Sequence, residues 1–433
     1  MTIKAVTYAI YTLGCKLNFS ESSAIMQYFD NMNFKKRTFS EKADIYLINT
    51  CSVTANANKK SRNAISRATK NNPDAIIIAT GCYAQLNPDE IKNKFKVDYI
   101  IGINNKNEIK KITKKIEKQK RVQTFHTPYK KMNSFFPSFN IGNRTRAFLK
   151  IQDGCDYFCS YCVVPYARGK SRNQSIEETI KQVDIIASEN IKEIVITGVN
   201  IGDFGKSTGE SFYELLQELC KTDKIKRFRL GSIEPNLLDD KIIRLIANNP
   251  KLMPHFHIPL QSGSDNMLKI MKRKYDTALV KHKIELINKL IPHAFIGIDV
   301  IAGVNGETEE YFEESVMFLK SINISSIHVF TYSERENTKA LENTPKPSPT
   351  IKRNRANILK QISEIKHHNF LKKHLKHKTK VLFESYNKNG KITGFSENYI
   401  QIETEYKKQL INKIVDIEIA DFINSKKMLG KTI

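Results

Sequence analysis

A strand–helix unit that repeats about six times between residues 145 and 372 constrains the fold of this chain most strongly. The apolar strand segments are AFLKIQ, EIVITG, RFRLGS, HFHIPL, FIGIDVIAG and SIHVFTY, and helical segments such as SIEETIKQVDIIAS follow them. Alternating strands and helices form parallel sheets, and six units are too few to close an eight-stranded barrel. The repeat therefore predicts an open, partial (β/α)6 barrel.

Different patterns flank this repeat and predict an α/β protein of three domains. Residues 1–126 alternate apolar runs such as DIYLINT and AIIIATG with helical segments, which predicts an N-terminal parallel α/β sheet domain. Residues 127–144 contain two prolines without a steady period and are interpreted as a linker. The barrel domain, 145–378, is expected to end in a basic helix, 351–378. Alternating segments around the turn NKNGK predict a small antiparallel β-barrel at 379–433.

Three cysteines, Cys155, Cys159 and Cys162, stand within eight residues directly after the first predicted barrel strand. A structural zinc site needs four ligands, and no second ligand pair lies nearby in the sequence. A 4Fe–4S cube that is held by three thiolates keeps one iron open for a reaction. Active sites of such barrels lie at the carboxyl ends of the strands, so the triplet predicts a reactive iron–sulfur cluster there.

The cysteines Cys15, Cys51 and Cys82 each follow one of the first three predicted strands. The carboxyl ends of parallel strands lie along one edge of a sheet, so we expect these thiols to meet as a second three-thiolate metal site. The alternative is three unrelated buried thiols, because free cysteine is a common core residue. Cys220 continues an apolar helical stripe and is expected to be a core residue.

The composition bears on partners and compartment. The 433 residues include 70 Lys and Arg against 45 Asp and Glu, a net charge of +25 that favours a nucleic-acid partner. A compositional bias of the genome is the alternative explanation. No segment approaches the roughly 18 apolar residues of a transmembrane helix, so no membrane partner is expected. Clustered cysteines and the lack of a signal-peptide pattern predict a cytoplasmic protein.

The cysteine triplet, with Tyr161 before its last member, resembles the signature of radical S-adenosylmethionine (SAM) enzymes. The wider chain is similar to the methylthiotransferase family over nearly its whole length. The blocks that carry this resemblance are TLGCKLNFSES, INTCSVTANANKKSR, TGCYAQLNP, GCDYFCSYCVVPYARGKSRN, RLGSIEP, HIPLQSGSDNMLKIMKRKY and HVFTYSERENTKA. TLGCK and SIEP most resemble the tRNA threonylcarbamoyladenosine subfamily of the MtaB type. The C-terminal barrel would then be a TRAM-like, RNA-binding domain.

This resemblance implies a reaction, its cofactors and its partners. Two 4Fe–4S clusters, held by the six cysteines named above, and SAM are the implied cofactors. One SAM methylates a sulfide on the first cluster. A second SAM, cleaved at the barrel cluster, yields a radical that abstracts hydrogen from carbon 2 of a modified adenosine, which the methylsulfide then joins. The implied partners are the tRNA anticodon loop, an electron donor such as flavodoxin or ferredoxin, and a sulfur source.

The resemblance also implies roles for single residues. The SAM-binding candidates, for which packing or an ordinary strand end is the alternative, are Tyr161, Thr197, Gly198, Ser232, Gln261 and Ile301. The candidates for contacts with phosphate or other anionic substrate groups are Arg168, Arg172, Lys352, Arg353 and Arg355. No catalytic residue is expected beyond the cluster ligands. The histidines His255, His257 and His328 have no cysteine or carboxylate at ligand spacing and are interpreted as packing.

The sequence is also compatible with other functions. Sister subfamilies methylthiolate isopentenyladenosine in tRNA or an aspartate of a ribosomal protein. A non-enzymatic iron–sulfur protein that binds RNA is a further alternative, although a carrier needs no SAM cavity. The chain also departs from the family pattern at Asn173, Asn305 and Thr331, which puts the geometry of loops near SAM or substrate in question.

Overall fold

The structure is a computed structural model that describes residues 5–114, 121–140 and 145–433, without the side chains of 385–388. The last part of the predicted linker, 141–144, therefore lies outside the described residues. Among the described helices, none combines the length and the apolar composition that crossing a membrane requires.

The first region is a six-stranded parallel sheet with helices on both faces. Its elements are β1 Thr7–Thr12, α1 Lys16–Asn31, β2 Lys35–Lys36, β3 Ile45–Thr50, α2 Ala55–Asn71, β4 Ile76–Gly81, α3 Cys82–Leu86, α4 Pro88–Lys94, β5 Tyr99–Ile101, α5 Glu108–Ile112 and β6 Gln123–Phe125. The strand order is β2-β1-β3-β4-β5-β6. Strands β3 and β4 are buried along their whole length, because α1 packs on one face of the sheet and α2 on the other. The predicted parallel sheet is confirmed.

The second region is an open barrel of two sheets. Its elements are β7 Ser138–Phe139, β8 Arg146–Lys150, β9 Gln152–Asp153, α6 Val164–Arg168, β10 Arg172–Asn173, α7 Ile176–Ser188, β11 Glu193–Thr197, α8 Phe212–Lys221, β12 Arg227–Leu230, α9 Asp240–Asn248, β13 His255–Gln261, α10 Asp265–Ile270, α11 Thr277–Leu290, β14 Phe295–Ala302, α12 Glu309–Ser321, β15 Ser326–Thr331 and α13 Pro349–Lys373. The sheets β12-β11-β8-β7 and β13-β14-β15 are joined by isolated parallel bridges, Phe228 with Leu252 and Ser232 with His257. The six long strands are those predicted, and the partial barrel is confirmed.

Local capping explains where the barrel helices begin. Ser175 and Glu178 form a reciprocal capping box at α7, and Ser211 with Glu214 repeats it at α8. These side chains satisfy backbone N–H groups that have no partner inside the helix. Capping therefore fixes the residues at which α7 and α8 begin.

The third region is a closed five-stranded barrel. Its strands are β16 Lys378–Lys388, β17 Lys391–Ser396, β18 Gln401–Glu405, β19 Ile414–Phe422 and β20 Lys427–Thr432, in the order β16-β17-β18-β20-β19. Four pairings are antiparallel as predicted, and β18 pairs with β20 in parallel. The sequence pattern did not predict β17 and β20, each of which has a central glycine. A Cβ at Gly430 would lie 2.6 Å from both Ile402 and Ile417, so the small barrel requires this glycine.

Two arginines of β12 hold the C-terminal barrel against the open barrel. Arg227 donates to the carbonyl of Lys380 at 2.9 Å, and Arg229 donates to the carbonyl of Glu397 at 2.9 Å. Arg229 is also paired with the buried carboxylate of Glu193 at 2.8 Å. This interface lies at the end of the barrel opposite to the cysteine triplet, where side chains serve stability rather than chemistry.

Candidate active site

The first three cysteines lie at adjacent strand ends of the N-terminal sheet. Cys15 follows β1 and precedes α1, Cys51 follows β3, and Cys82 follows β4 and begins α3. A Cβ at Gly14, whose φ is +99°, would lie 2.9 Å from Sγ of Cys51, so glycine is needed beside this thiol. Burial raises the pKa of Cys82 to about 11; the charge of Arg168 opposes this rise, and the neighbouring Cys51 and Cys15 contribute to it. The sheet thus brings the three thiols to one edge.

The second triplet lies in the loop between β9 and α6. Burial raises the pKa of Cys155 to about 12, and nearby Cys159 adds to this shift. Burial and Cys159 likewise raise the pKa of Cys162. The loop is anchored by hydrogen bonds from the backbone N–H of Cys155 to the carbonyl of Gly169, at 3.0 Å, and from that of Cys162 to the carbonyl of Cys159, at 3.0 Å.

Both triplets have the surroundings of cluster ligands. Burial raises the pKa of Cys51, whereas the backbone N–H groups of Val53 and Ser52 lower it. In the second triplet the N–H of Val164 donates to Sγ of Cys162 at 3.4 Å. Backbone donors that face sulfur, together with thiols that raise one another's pKa, suit a metal cluster that neutralises three thiolates. The donor sets therefore fit 4Fe–4S clusters.

A cavity of about 300 Å³ adjoins the second triplet. It is lined by the three cysteines of that loop and by four predicted SAM contacts, Tyr161, Ser232, Gln261 and Ile301. Val53 and Thr54, which follow Cys51, form another part of its wall. The volume is at the lower end of the range for small-molecule sites. The cavity is therefore bounded both by the second triplet and by the segment that follows Cys51.

The predicted contacts Thr197 and Gly198 lie beside this cavity. Thr197 ends β11 and Gly198 follows it, and the next two residues, Val199 and Asn200, form part of the wall. The backbone N–H groups of Val199 and Asn200 donate to Oε1 of Gln152 at 3.0 and 2.8 Å. The strand end is therefore fixed by a neighbouring barrel residue.

Arg273 is a cavity residue that sequence reasoning missed. Its Nη1 donates to Sγ of Cys159 at 2.9 Å and to the hydroxyl of Tyr161 at 3.2 Å, and its Nη2 pairs with Glu234. Burial raises the pKa of Glu234 although Arg273 opposes this. Cys159 and Arg273 are 114 residues apart, so spacing gave no signal. The blocks SIEP and MKRKY, which contain Glu234 and Arg273, were the available hint.

Two arginines that the sequence suggests as substrate contacts are instead buried in ion pairs. Arg168, 2% exposed, donates to Asp153 at 2.8 Å, to Asn18 at 2.6 Å and to Glu21 at 3.1 Å. Arg172 is 6% exposed and lies 3.3 Å from Asp153. Their charges are balanced inside the protein, so these side chains are not presented to an external phosphate.

Glu21, which the sequence did not single out, is the centre of this network. It accepts from Lys150 at 2.7 Å and pairs with Lys106, and all three side chains are 0% exposed. Glu21 lies on α1, which begins after Cys15, and Arg168 ends α6, which begins after Cys162. The network therefore connects the helices that follow the two cysteine sites.

The basic helix α13 divides its predicted substrate contacts between surface and interior. Arg355 is buried and pairs with Glu307 at 2.8 Å and with Glu309 at 2.7 Å, which corrects the expectation that it faces RNA. The ammonium of Lys352 lies 4.9 Å from the ring centre of Tyr332, a cavity residue. Arg353 is exposed.

The histidines interpreted as packing have a carboxylate partner after all. Nε2 of His257 on β13 lies 2.7 Å from Oδ1 of Asp299 on β14, and Nδ1 of His328 on β15 lies 3.1 Å from the same oxygen. His255 does pack, against Phe295 and Tyr399. His257 and His328 are 42 and 29 residues away from Asp299 in the sequence, so no rule of ligand spacing could have predicted these two pairs.

The three departures from the family pattern are accommodated locally. Asn305 is buried and its Nδ2 donates to Glu334 at 3.2 Å. Nδ2 of Asn173 donates to Thr208 at 3.0 Å, and Thr331 lies in the cavity wall.

Comparison with solved structures supports the fold. The radical SAM methyltransferase TsrM from Kitasatospora setae, solved with cobalamin and a [4Fe-4S] cluster bound, superposes with a TM-score of 0.56 over 76% of this chain and 75% of that chain. The sequence identity of 14% limits this likeness to the fold.

Comparison of sequences identifies the family. Residues 7–102 match the model of the uncharacterized protein family UPF0004, and residues 149–319 match that of the radical SAM superfamily. The threonylcarbamoyladenosine tRNA methylthiotransferases MtaB of Aquifex aeolicus and Bacillus subtilis are 37% and 34% identical, over 95% of this chain and 99% and 93% of those proteins. The tRNA-2-methylthio-N(6)-dimethylallyladenosine synthase of Dictyoglomus thermophilum is 33% identical over 96% of both chains. The chain therefore belongs to the radical SAM methylthiotransferase family.

Proposed function

We propose that this protein transfers a methylthio group to carbon 2 of N6-threonylcarbamoyladenosine next to the anticodon of tRNA. The observation that carries the proposal is the shared cavity: residues that follow Cys51 line the same space as Cys155, Cys159 and Cys162. Sulfur transfer and radical formation can thus act on one substrate carbon. The substrate follows the names of the two MtaB relatives.

An enzyme of this family uses SAM and 4Fe–4S clusters, which supply the methyl, sulfur and radical chemistry when bound. We assign one cluster to Cys15, Cys51 and Cys82 and the other to Cys155, Cys159 and Cys162. Tyr161, Ser232, Gln261 and Ile301 would bind SAM, with Thr197 and Gly198 fixing the strand end beside it.

The chain's own residues prepare this cavity. The apolar side chains of Val163, Val164 and Phe330 form part of its wall and would limit the access of water once a substrate covers them. Arg273 places a positive charge at Sγ of Cys159 and orients the Tyr161 hydroxyl, while Glu234 holds the guanidinium. These residues bind and position; the structure assigns none of them a proton-transfer step.

The partners follow from charge. The net charge of +25 and the exposed cations of α13, among them Arg353, Lys372 and Lys373, support contact with the phosphate backbone of tRNA. The 379–433 barrel would contribute to the same surface. The reaction also needs an electron, from a donor such as flavodoxin or ferredoxin, and a sulfur source.

Nucleoside mass spectrometry of tRNA from a deletion strain tests the substrate. We expect methylthiolated threonylcarbamoyladenosine to disappear and the unmethylthiolated nucleoside to accumulate. The second candidate is methylthiolation of isopentenyladenosine, which the Dictyoglomus relative supports. Loss of that nucleoside alone would replace the first proposal with the second.

Two cysteine variants test the division of roles between the clusters. Cys159→Ala should retain about half of the iron of a two-cluster protein and lose SAM cleavage, because the first site keeps its three ligands. Cys51→Ala should also lose half of the iron, yet it should still cleave SAM and form no methylthio product. Methylthio product at the wild-type rate from Cys51→Ala would exclude a catalytic role for the first cluster.

A further inference from the structure

The histidine–aspartate–histidine group of the barrel, His257, Asp299 and His328, has no role in the chemistry described above. Its members lie on three adjacent parallel strands, β13, β14 and β15, with side chains converging on Oδ1 of Asp299. Asp299 is also part of the cavity wall. Asp299 therefore stands at the edge of the space where SAM and substrate would meet, and His257 and His328 contact it from the neighbouring strands.

Part of this group is available for a ligand. Both imidazoles donate one N–H to Asp299, because a carboxylate oxygen can only accept. Among the described residues, none forms a hydrogen bond with Nδ1 of His257, Nε2 of His328 or Oδ2 of Asp299. The His328 side chain is 48% exposed and that of Asp299 is 16% exposed. One carboxylate oxygen and two ring nitrogens can therefore still bind a polar group.

Several basic groups surround His255, which lies two residues before His257 on β13. Burial lowers the pKa of His255 well below its ordinary value, and the charges of Arg229, Lys16, His257 and His328 lower it further. These four groups thus face one region of the barrel. Arg229 is paired with Glu193 at the far end of the barrel, so these basic groups favour an anionic ligand group only where that carboxylate does not offset them.

We propose that His257, Asp299 and His328 bind the threonylcarbamoyl substituent of the substrate adenosine. Oδ2 of Asp299 would accept from its hydroxyl or amide N–H. The second nitrogen of each imidazole would donate to its carboxylate when the ring is protonated and would accept from its hydroxyl when the ring is neutral. This inference rests on the proposed function and explains how that substrate is distinguished. An isopentenyl group would cover the same three residues without a hydrogen bond, and sites built for hydrogen bonds reject such analogues strongly.

A divalent cation is the competing occupant, since two histidines and a carboxylate are metal ligands and their donor atoms lie within 4.8 Å of one another. The hydrogen bonds to Asp299 account for this geometry without an ion. The experiment below therefore includes the metal content as a separate outcome.

The test compares anticodon stem-loops that carry threonylcarbamoyladenosine or plain adenosine at the modified position. Binding to the reconstituted protein is measured by fluorescence anisotropy for wild type, His328→Leu and Asp299→Asn. The matched control is His282→Leu, which removes a surface histidine that is 3.3 Å from Asp240. Iron content is measured for every variant, so that loss of a cluster is not mistaken for loss of recognition.

We expect wild type and His282→Leu to prefer the threonylcarbamoylated stem-loop. In His328→Leu and Asp299→Asn this preference should fall by about tenfold or more, which is the loss for one hydrogen bond to a charged group. If both variants keep the wild-type preference, and the wild-type protein still methylthiolates the same RNA, the inference is overturned and the proposed function stands. Stoichiometric zinc that is lost in His328→Leu would overturn it in favour of a metal site. Failure of the wild type to methylthiolate this RNA would overturn the proposed function itself.

Discussion

The buried network around Glu21 offers a quantitative test of how the first region and the barrel are held together. We consider Glu21→Gln, which keeps the shape of the side chain and removes its charge. The change leaves Lys106, Lys150 and Arg168 with Asp153 as the remaining carboxylate of the network. All of these side chains are at most 2% exposed, so water cannot replace the lost partner.

The expected loss is large for one substitution. Removing one partner of a buried ion pair costs about 3–5 kcal/mol, because the other charge stays buried without compensation. For a unit of 150–250 residues each kcal/mol lowers the melting temperature by about 2–4 °C, so we expect a decrease of roughly 6 °C or more. Differential scanning fluorimetry of the protein, with and without reconstituted clusters, measures this.

The pH dependence gives an independent readout. Burial alone would raise the pKa of Glu21, but Arg168, Lys106 and Lys150 outweigh burial and hold it well below its ordinary value of 4.5. The stabilisation is therefore complete above about pH 4.5, the unfolded value, and is lost as the pH falls through the folded value. The melting temperature of Glu21→Gln should consequently change less than that of wild type when the pH is lowered from 5 to 3.

The control is Glu177→Gln, which removes a surface pair with Lys181 whose side chains are 78% and 68% exposed. Exposed pairs of this kind contribute little, so its melting temperature should equal that of wild type. If Glu21→Gln had the same melting temperature as the control at every pH, the argument that this network stabilises the contact between the two regions would be refuted.

Three further predictions concern single residues elsewhere. Arg229→Met should make the C-terminal barrel more sensitive to limited proteolysis, since Glu193 loses its nearer guanidinium partner and the carbonyl of Glu397 loses its donor. An unchanged digestion pattern would contradict this. Arg273→Met should lower the midpoint potential of the barrel cluster in an EPR-monitored titration, because a positive charge beside Cys159 favours the reduced state. Cys220→Ser should leave the iron content at the wild-type value, and a loss of iron would make this cysteine a ligand.

The sequence alone determined the order of the main strands and helices of the first two regions and the position of six of the seven cysteines after a strand end. Both depend on local information: the spacing of apolar residues sets the element type, and a residue that follows a parallel strand must lie at its carboxyl edge. This is why Cys15, Cys51 and Cys82 could be grouped, and why the six barrel strands were recognised. Strands β17 and β20 were not predicted, because a central glycine in each interrupts the alternation of apolar and polar residues.

Only the tertiary structure decided which polar side chains face the cavity and which are enclosed. Arg168 and Arg355 read as surface cations in the sequence, but their carboxylate partners come from other elements and bury them. His257 and His328 acquire Asp299 as a partner through the register of β13, β14 and β15, and Arg273 reaches Cys159 across 114 residues. Sequence periodicity shows the face on which a side chain lies. The residue opposite it depends on strand pairing between distant segments, which is settled only when the whole chain packs.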